Sequence, residues 1–213
     1  TEYMVERLKK ILKAGMILLS SSLLAACSNS GSTPLKACPQ KKVRQEGLID
    51  HSVQTDLDVK EISDNPQYDI LEAVLKQSGL ISSDTSLEKL GSLTTANIVS
   101  TLVGKGYTIS SASSWDGFMA ALGKNMIETD TVYPILVKMP NRVFPPTVGK
   151  SGENWMGVFG CKTTESGKPV TLLICSPAQV DNEHTLYLEE VSFDQLECLV
   201  NYYGADDKIE VIF

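Results

Sequence analysis

The sequence predicts an α+β domain in which N-terminal helices pack on a mainly antiparallel sheet. Two observations predict this class. Residues 65–122 place apolar side chains at helical spacing, and residues from 132 onward form short apolar runs separated by turn residues. Helices that precede the strands along the chain are typical of the α+β layout.

Capping and turn residues frame three helices in the first half of this domain. The first is predicted between Asn65, its N-cap, and Gly79, with proline in the first helical position. The second is predicted over 95–103, and the third extends from its capping residue Ser114 through residue 122. Between the second and third helices, residues 107–109 are predicted to form a short strand.

The second half is predicted to be mostly strands. Ser192 and Gln195 have the spacing of a capping box, which opens a final helix that Gly204 closes. Residues 164–167 (Thr-Glu-Ser-Gly) have the composition of a hairpin turn. The strands are predicted at 132–139, 155–161, 170–175, 184–189 and 208–213.

Residues 7–27 have the order of a secretory signal. Basic residues precede the uncharged apolar segment 14–26, which is too short to cross a bilayer core because that needs roughly 20 residues. The segment ends in Leu24-Ala25-Ala26-Cys27, which resembles the lipobox of bacterial lipoproteins. The resemblance implies cleavage before Cys27 and lipid attachment to its thiol. The alternative is a short amphipathic or buried helix that ends in cysteine.

These features divide the chain into a signal peptide (1–26), an anchor with tether and extended arm (27–63), and a globular domain (64–213). The small polar residues 28–34 have the composition of a flexible tether. We therefore expect a bacterial envelope protein that contacts the membrane through its lipid. In a cell with two membranes, Ser28 after the lipidated cysteine would favour the outer membrane, with the protein facing the periplasm.

The charge of the exported part argues against nucleic acid as a partner. Residues 1–26 hold four of the 19 basic and two of the 26 acidic residues, so 15 basic and 24 acidic residues follow them. The resulting net charge of −9 disfavours phosphate binding, which needs a basic patch.

Four cysteines follow Cys27, and they allow three disulfide pairings among which the sequence does not choose. Cys175 and Cys198 lie on apolar segments and are equally well explained as buried free thiols. The four are Cys38, Cys161, Cys175 and Cys198. The histidines are His51 and His184, and the sequence has no metal-binding spacing or cofactor motif, so we expect neither group.

From Asn65 onward, the order of elements resembles the papain-like domains of C39-type cysteine peptidases. The strings that carry the resemblance are Gly106-Tyr107-Thr108, the strand from Tyr133 to Val137, Gly152-Glu153-Asn154-Trp155, Ser176-Pro177 and Ser192-Phe193. The resemblance implies a papain-like fold.

The catalytic positions implied by this resemblance hold other residues. Residues 64–70 contain no cysteine, Asn154 stands where the family has histidine, and Ser176 replaces the orienting aspartate. A cysteine peptidase needs a thiolate, a histidine to take its proton and a third group to orient that histidine, so the resemblance implies an inactive peptidase-like domain. By analogy, a cleft around Asn154, Trp155 and Ser176 would bind an extended peptide, although plain core packing also explains the tryptophan.

Three functions are compatible with the sequence. The first is a membrane-anchored lipoprotein whose inactive peptidase-like domain binds a peptide or envelope protein. The second is a cysteine hydrolase that pairs Cys38 with His51 or His184. The third is a structural lipoprotein of a secretion or conjugation apparatus.

Overall fold

The computed structural model describes residues 33–53, 65–84, 87, 90–180 and 186–213. The predicted signal peptide, Cys27 and His184 lie outside these residues. Among the described residues, no helix combines the length and the apolar character needed to cross a membrane.

Within this described part, an antiparallel sheet of seven strands forms the centre of the fold. The strands are β1 (Ile49–Ser52), β2 (Ser111–Ser113), β3 (Ile135–Pro140), β4 (Glu153–Thr163), β5 (Pro169–Val180), β6 (Leu186–Ser192) and β7 (Glu210–Ile212). They lie in the order β2-β7-β3-β4-β5-β6, and β1 pairs with the end of β4 that β3 leaves free.

Helices cover both faces of the sheet. Helix α4 continues into a π-helical turn, Gly123–Ile127, and short 3-10 turns lie at Asn141–Val143, Pro145–Thr147 and Asp206–Lys208. The helices are α1 (Pro34–Ala37), α2 (Pro66–Gln77), α3 (Thr95–Gly104), α4 (Ser114–Leu122) and α5 (Phe193–Tyr203). The α+β class with an antiparallel sheet is thus confirmed.

The alternation of side chains along β4 divides the core into two clusters. Trp155 and Phe159 pack with α2 and α3 on one face, and Met156 and Val158 pack with α4 and α5 on the other. Helix α2 approaches closely at Gly157, where a Cβ atom would lie 2.5 Å from the Phe159 ring and 2.8 Å from Val74. The glycine therefore sets how near α2 lies to the sheet.

The predicted strand at 107–109 is wrong. Tyr107 donates its backbone N–H to the carbonyl of Leu102, so this segment closes the end of α3 instead of joining the sheet. The strand lies slightly later, at β2, which pairs with β7. Its residues Ser-Ala-Ser show no apolar alternation, which is why the pattern did not predict it.

The final helix begins as predicted but uses only half of its capping box. Ser192 Oγ accepts a hydrogen bond from the Gln195 N–H at 3.3 Å. The Gln195 side chain donates instead to the carbonyl of Cys38 at 3.0 Å. The side chain that would complete the cap therefore binds the N-terminal arm to the domain. Gly204 closes the helix in a left-handed conformation.

The N-terminal arm is ordered by a disulfide and a strand that the sequence pattern did not predict. Cys38 is bonded to Cys198 of α5, and β1 pairs with β4 from Ile49 opposite Thr163 to Ser52 opposite Gly160. Among the described cysteines, Cys161 and Cys175 are free and buried. Only one of the two bridges that four cysteines allow therefore forms, and of the two candidate free thiols Cys175 is free and Cys198 is not.

Candidate functional site

A polar cluster lies where the first residues of β4 and β7 meet the last residues of β3. Lys138 of β3 is its centre, and its side chain is only 13% exposed. The ammonium group forms an ion pair with Glu210 and lies 3.5 Å from a carboxylate oxygen of Glu153. It also lies 5.5 Å from the ring centroid of Trp155, within the range of a cation–π contact. We call Lys138, Glu153 and Glu210 the Lys138 cluster.

Glu210 is held in its charged form by its neighbours. Burial alone raises the pKa of Glu210. The hydrogen bonds from Lys138 and Thr95, together with the Lys138 charge, lower this pKa by more than burial raises it, so the pKa lies below its ordinary value. The Thr95 hydroxyl donates to the carboxylate at 2.8 Å. Since Thr95 is the first residue of α3, the carboxylate also lies near the positive end of that helix. At neutral pH the cluster therefore contains one cation between two carboxylates.

Trp155 connects the cluster to the start of α2. Its indole N–H donates to the carbonyl of Leu93 at 2.7 Å, and its backbone N–H donates to the Gln67 side chain at 3.1 Å. Gln67 belongs to the first turn of α2, where Asn65 caps the helix through the Gln67 N–H. The start of α2 therefore lies directly against β4, beside Asn154.

Asn154 stabilises the turn that precedes β4. Its side-chain amide donates to Asn141 at 2.8 Å, and Asn141 in turn donates to the carbonyl of Ser151 at 2.8 Å. The Asn141 backbone N–H binds the carbonyl of Gly152. Asn154 is half-buried, so this pair of amides lies at the surface next to the cluster.

The expectation of an open cleft around Asn154, Trp155 and Ser176 needs correction. Trp155 is fully buried, and Ser176 is 1% exposed in the interior strand β5. The indole is buried because its N–H donates to the carbonyl of Leu93 and its ring packs with α2 and α3. Of the three residues, only Asn154 reaches the surface, where it lies next to Glu153 of the Lys138 cluster.

Two free cysteines are too deeply buried to act as nucleophiles. Burial raises the pKa of Cys175 to about 12, and burial together with the nearby Asp50 charge raises that of Cys161 to about 12. Both thiols are therefore protonated at neutral pH, and a thiol is a poor nucleophile. His51 lies opposite Cys161 across the β1–β4 pair, but its ring shares a hydrogen bond with the Thr163 hydroxyl at 3.0 Å.

The proposed pairing of Cys38 with a histidine loses its nucleophile in this structure. Cys38 is in a disulfide with Cys198, so it has no thiolate to offer. Among the described residues, histidine, cysteine and carboxylate side chains also form no group that could hold a metal ion. The Lys138 cluster itself offers ion pairs and hydrogen bonds.

Two shallow grooves border the N-terminal arm. One, of about 550 Å³, follows the disulfide and includes Lys41 and Tyr202. The other, of about 670 Å³, lies between residues 41–48 and the hairpin at 164–166. The first groove lies along α5, and the second lies at the end of β4 that pairs with β1.

The sequence patterns did not single out the Lys138 cluster. A signal was present, since Lys138 interrupts the apolar run from Ile135 to Met139 and Glu210 interrupts the run from Ile209 to Ile212. Opposite charges inside two otherwise apolar strands indicate that the strands are neighbours. The β3–β7 register confirms this, because it pairs Lys138 with Glu210.

Comparison of the chain with protein families, curated proteins and solved structures found no match. The class that the fold defines is an α+β protein with an antiparallel sheet between two helical layers.

Proposed function

We propose that this chain is a lipid-anchored protein of the bacterial envelope whose catalytically inactive, papain-like domain binds a peptide or protein partner. Cys27 carries the lipid, residues 28–34 serve as the tether, and the Lys138 cluster with Asn154 forms the contact surface. The proposal joins the lipobox resemblance to two features of the described residues, the disulfide and the polar cluster.

The observation that carries the proposal is the environment of the α2 N-terminus. Gln67 lies against the backbone of Trp155, so the first turn of α2 is next to Asn154. A papain-like enzyme would have its thiol and imidazole at these two places. Here the side chains are amides beside a lysine and two carboxylates. Such groups can bind the backbone and charged side chains of a peptide, and they include neither the thiol nor the imidazole that a cysteine peptidase needs at these positions.

The disulfide supports the export of the chain. Cys38 and Cys198 are 160 residues apart and come together only in the folded domain. Disulfides persist in the periplasm and outside the cell and are rare in the cytosol. The bonded Cys38 lies eleven residues after Cys27, so the bond fixes the domain close to the proposed anchor.

Site-specific photo-crosslinking in intact cells tests the contact surface. A crosslinking residue at Glu153, which is exposed beside the cluster, should capture a partner. The matched control is Glu165, an exposed glutamate in the hairpin beyond the other end of β4. Absence of a product at Glu153, or equal products at both positions, would argue against this surface.

The anchor is tested separately by metabolic labelling with a lipid precursor. The wild-type chain should be labelled, and the Cys27→Ser variant should not. An unlabelled wild-type chain would remove the anchor from the proposal while leaving the contact surface to be judged by crosslinking.

A further inference from the structure

The arm that follows the tether has a charge opposite to that of the rest of the exported chain. Residues 35–44, which we call the basic arm, contain Lys36, Lys41, Lys42 and Arg44 and no acidic residue. Residues 45–213 contain 11 basic and 24 acidic residues, a net charge of −13. The positive charge is therefore concentrated in the described segment nearest to Cys27.

The cations of the basic arm are available to a partner. Lys36, Lys41, Lys42 and Arg44 are exposed. Within the part of the chain that the structure describes, the three lysines form no ion pair. Arg44 pairs with the neighbouring Glu46, and both side chains of that pair are more than 80% exposed.

Acidic residues near the basic arm have partners of their own. Asp194 pairs with Lys168, and Glu190 pairs with Lys162, which also bonds to Gln45. Glu197, which lines the groove along the disulfide with Lys41, is half-buried. The second groove places three cations of the arm beside three carboxylates, so the arm supplies the positive charge that lines this groove; the carboxylates are those of Glu46, Glu165 and Asp194.

The shape of the arm is fixed by the fold. The Cys38–Cys198 bond and the Gln195 hydrogen bond to the Cys38 carbonyl hold its middle on α5. Two large side chains are also exposed here, Leu35 of α1 at 49% and Tyr202 of α5 at 45%, on two helices that contact each other. Cations beside exposed apolar and tyrosyl side chains are typical of a surface that meets lipid headgroups.

We infer that the basic arm docks on anionic phospholipid headgroups and so orients the domain on its membrane. The inference rests on the lipid anchor of the proposed function. Lys36 lies nine residues after Cys27, a stretch that spans at most about 32 Å when fully extended. The anchor thus keeps the arm close to the bilayer, where a basic residue near an anionic surface strengthens binding about fivefold.

The test is a lysine footprint on the purified full chain in vesicles of defined composition. Vesicles of zwitterionic lipid alone are compared with vesicles that contain anionic phospholipid, using a water-soluble amine reagent and mass spectrometry. Lys36, Lys41 and Lys42 should react at least fivefold more slowly on the anionic vesicles, and high salt should remove this protection because it screens the charges. The exposed Lys105 and Lys150 are internal controls that should not change.

A charge variant separates the arm from general electrostatics. Lys36→Gln, Lys41→Gln and Lys42→Gln together should abolish the protection of Arg44 against an arginine reagent on anionic vesicles. The control Lys105→Gln, Lys150→Gln and Lys208→Gln removes the same charge elsewhere and should leave Arg44 protected. Equal Arg44 reactivity in the two variants would overturn the inference.

The remaining outcomes distinguish the inference from the proposed function. A chain that floats with both vesicle types but shows equal lysine reactivity keeps its anchor and overturns the docking. A chain that does not float with zwitterionic vesicles lacks the anchor. In that case, flotation with anionic vesicles supports docking by the basic arm, and a failure to float with them overturns it. Protection of the arm lysines in native membranes but not in pure lipid vesicles would identify an acidic protein as the partner and would overturn docking on lipid.

Discussion

The two ends of strand β4 are stabilised by different means. At its first residues, the Lys138 cluster and Trp155 hold β3, β7 and the start of α2 together through partly buried polar contacts and the buried indole. At its last residues, β1 adds a polar strand, and the arm before β1 is bonded covalently to α5. The rise of a strand places these ends about 30 Å apart.

This difference follows from how much apolar surface each end can bury. In the segment 33–53, Cys38 is the one fully buried residue, so burial contributes little to holding the arm. The disulfide between Cys38 and Cys198 supplies the stabilisation that the burial of apolar side chains does not provide here. The other end buries the largest side chain of the core, Trp155, and can therefore tolerate charged groups beside it.

The largest expected effect is at the buried end. Trp155→Ala should lower the free energy of unfolding by about 4 kcal/mol, because it leaves a large cavity and frees the carbonyl of Leu93. Leu35→Ala at the arm end should change it by less than about 0.5 kcal/mol, since Leu35 is half exposed. Urea denaturation measures both, and similar losses for the two variants would contradict the contrast.

Removal of the disulfide should have the next largest effect. The double variant Cys38→Ala and Cys198→Ala should lose about 3 kcal/mol, because the bond restricts a very long loop in the unfolded chain. The backbone amides of β1 should also exchange faster with solvent while those of β3 do not. Unchanged exchange in β1 would show that strand pairing alone holds the arm.

The ion pair of the Lys138 cluster should contribute less. Lys138→Met should cost about 2 kcal/mol, reduced from the range for a fully buried pair because Glu210 is about one-third exposed. The matched control is Lys162→Met at the arm end, whose pair with Glu190 is more exposed and should contribute less than about 1 kcal/mol. A double-mutant cycle with Glu210→Gln isolates the pair, and no coupling would contradict this interpretation.

The smallest expected effect is a dependence of stability on pH. The pKa of Glu210 is lower in the folded protein than its ordinary value of about 4.3, so its contribution is complete above that pH. The contribution is lost as the pH falls from about 4.3 through the lower pKa of the folded state. Urea titrations between pH 7 and pH 3 should show a shallower loss for Glu210→Gln, and identical slopes would contradict the prediction.

Local chemistry explains which parts of the fold the sequence predicts. The helix capped by Asn65 and the helix capped by Ser192 begin as predicted, because each cap bonds its own first turn. Strand β1 has the polar sequence Ile-Asp-His-Ser and forms because it pairs with β4, so its local sequence pattern does not predict it. The local sequence also does not predict the role of Gln195, because its side chain donates to the carbonyl of Cys38 in the arm instead of capping its own helix.

The candidate site is predictable only in part. Asn154 reaches the surface, but the burial of Trp155 depends on Leu93 and on α2, which are distant in sequence. Lys138 and Glu210 become partners through the β3–β7 register, and their charges in apolar strands were the available signal. The pairing of Cys38 with Cys198 needs the tertiary fold, because spacing alone allows three arrangements.

The disulfide between Cys38 and Cys198 joins the arm to the domain, and in the proposed function it forms after export. Alkylation of the protein in freshly lysed cells, followed by peptide mapping without reductant, detects this bond. We expect a peptide that joins Cys38 to Cys198, with Cys161 and Cys175 alkylated only after unfolding because both are buried. Alkylated Cys38 and Cys198 in the native protein would contradict both the bonded arm and the oxidising compartment.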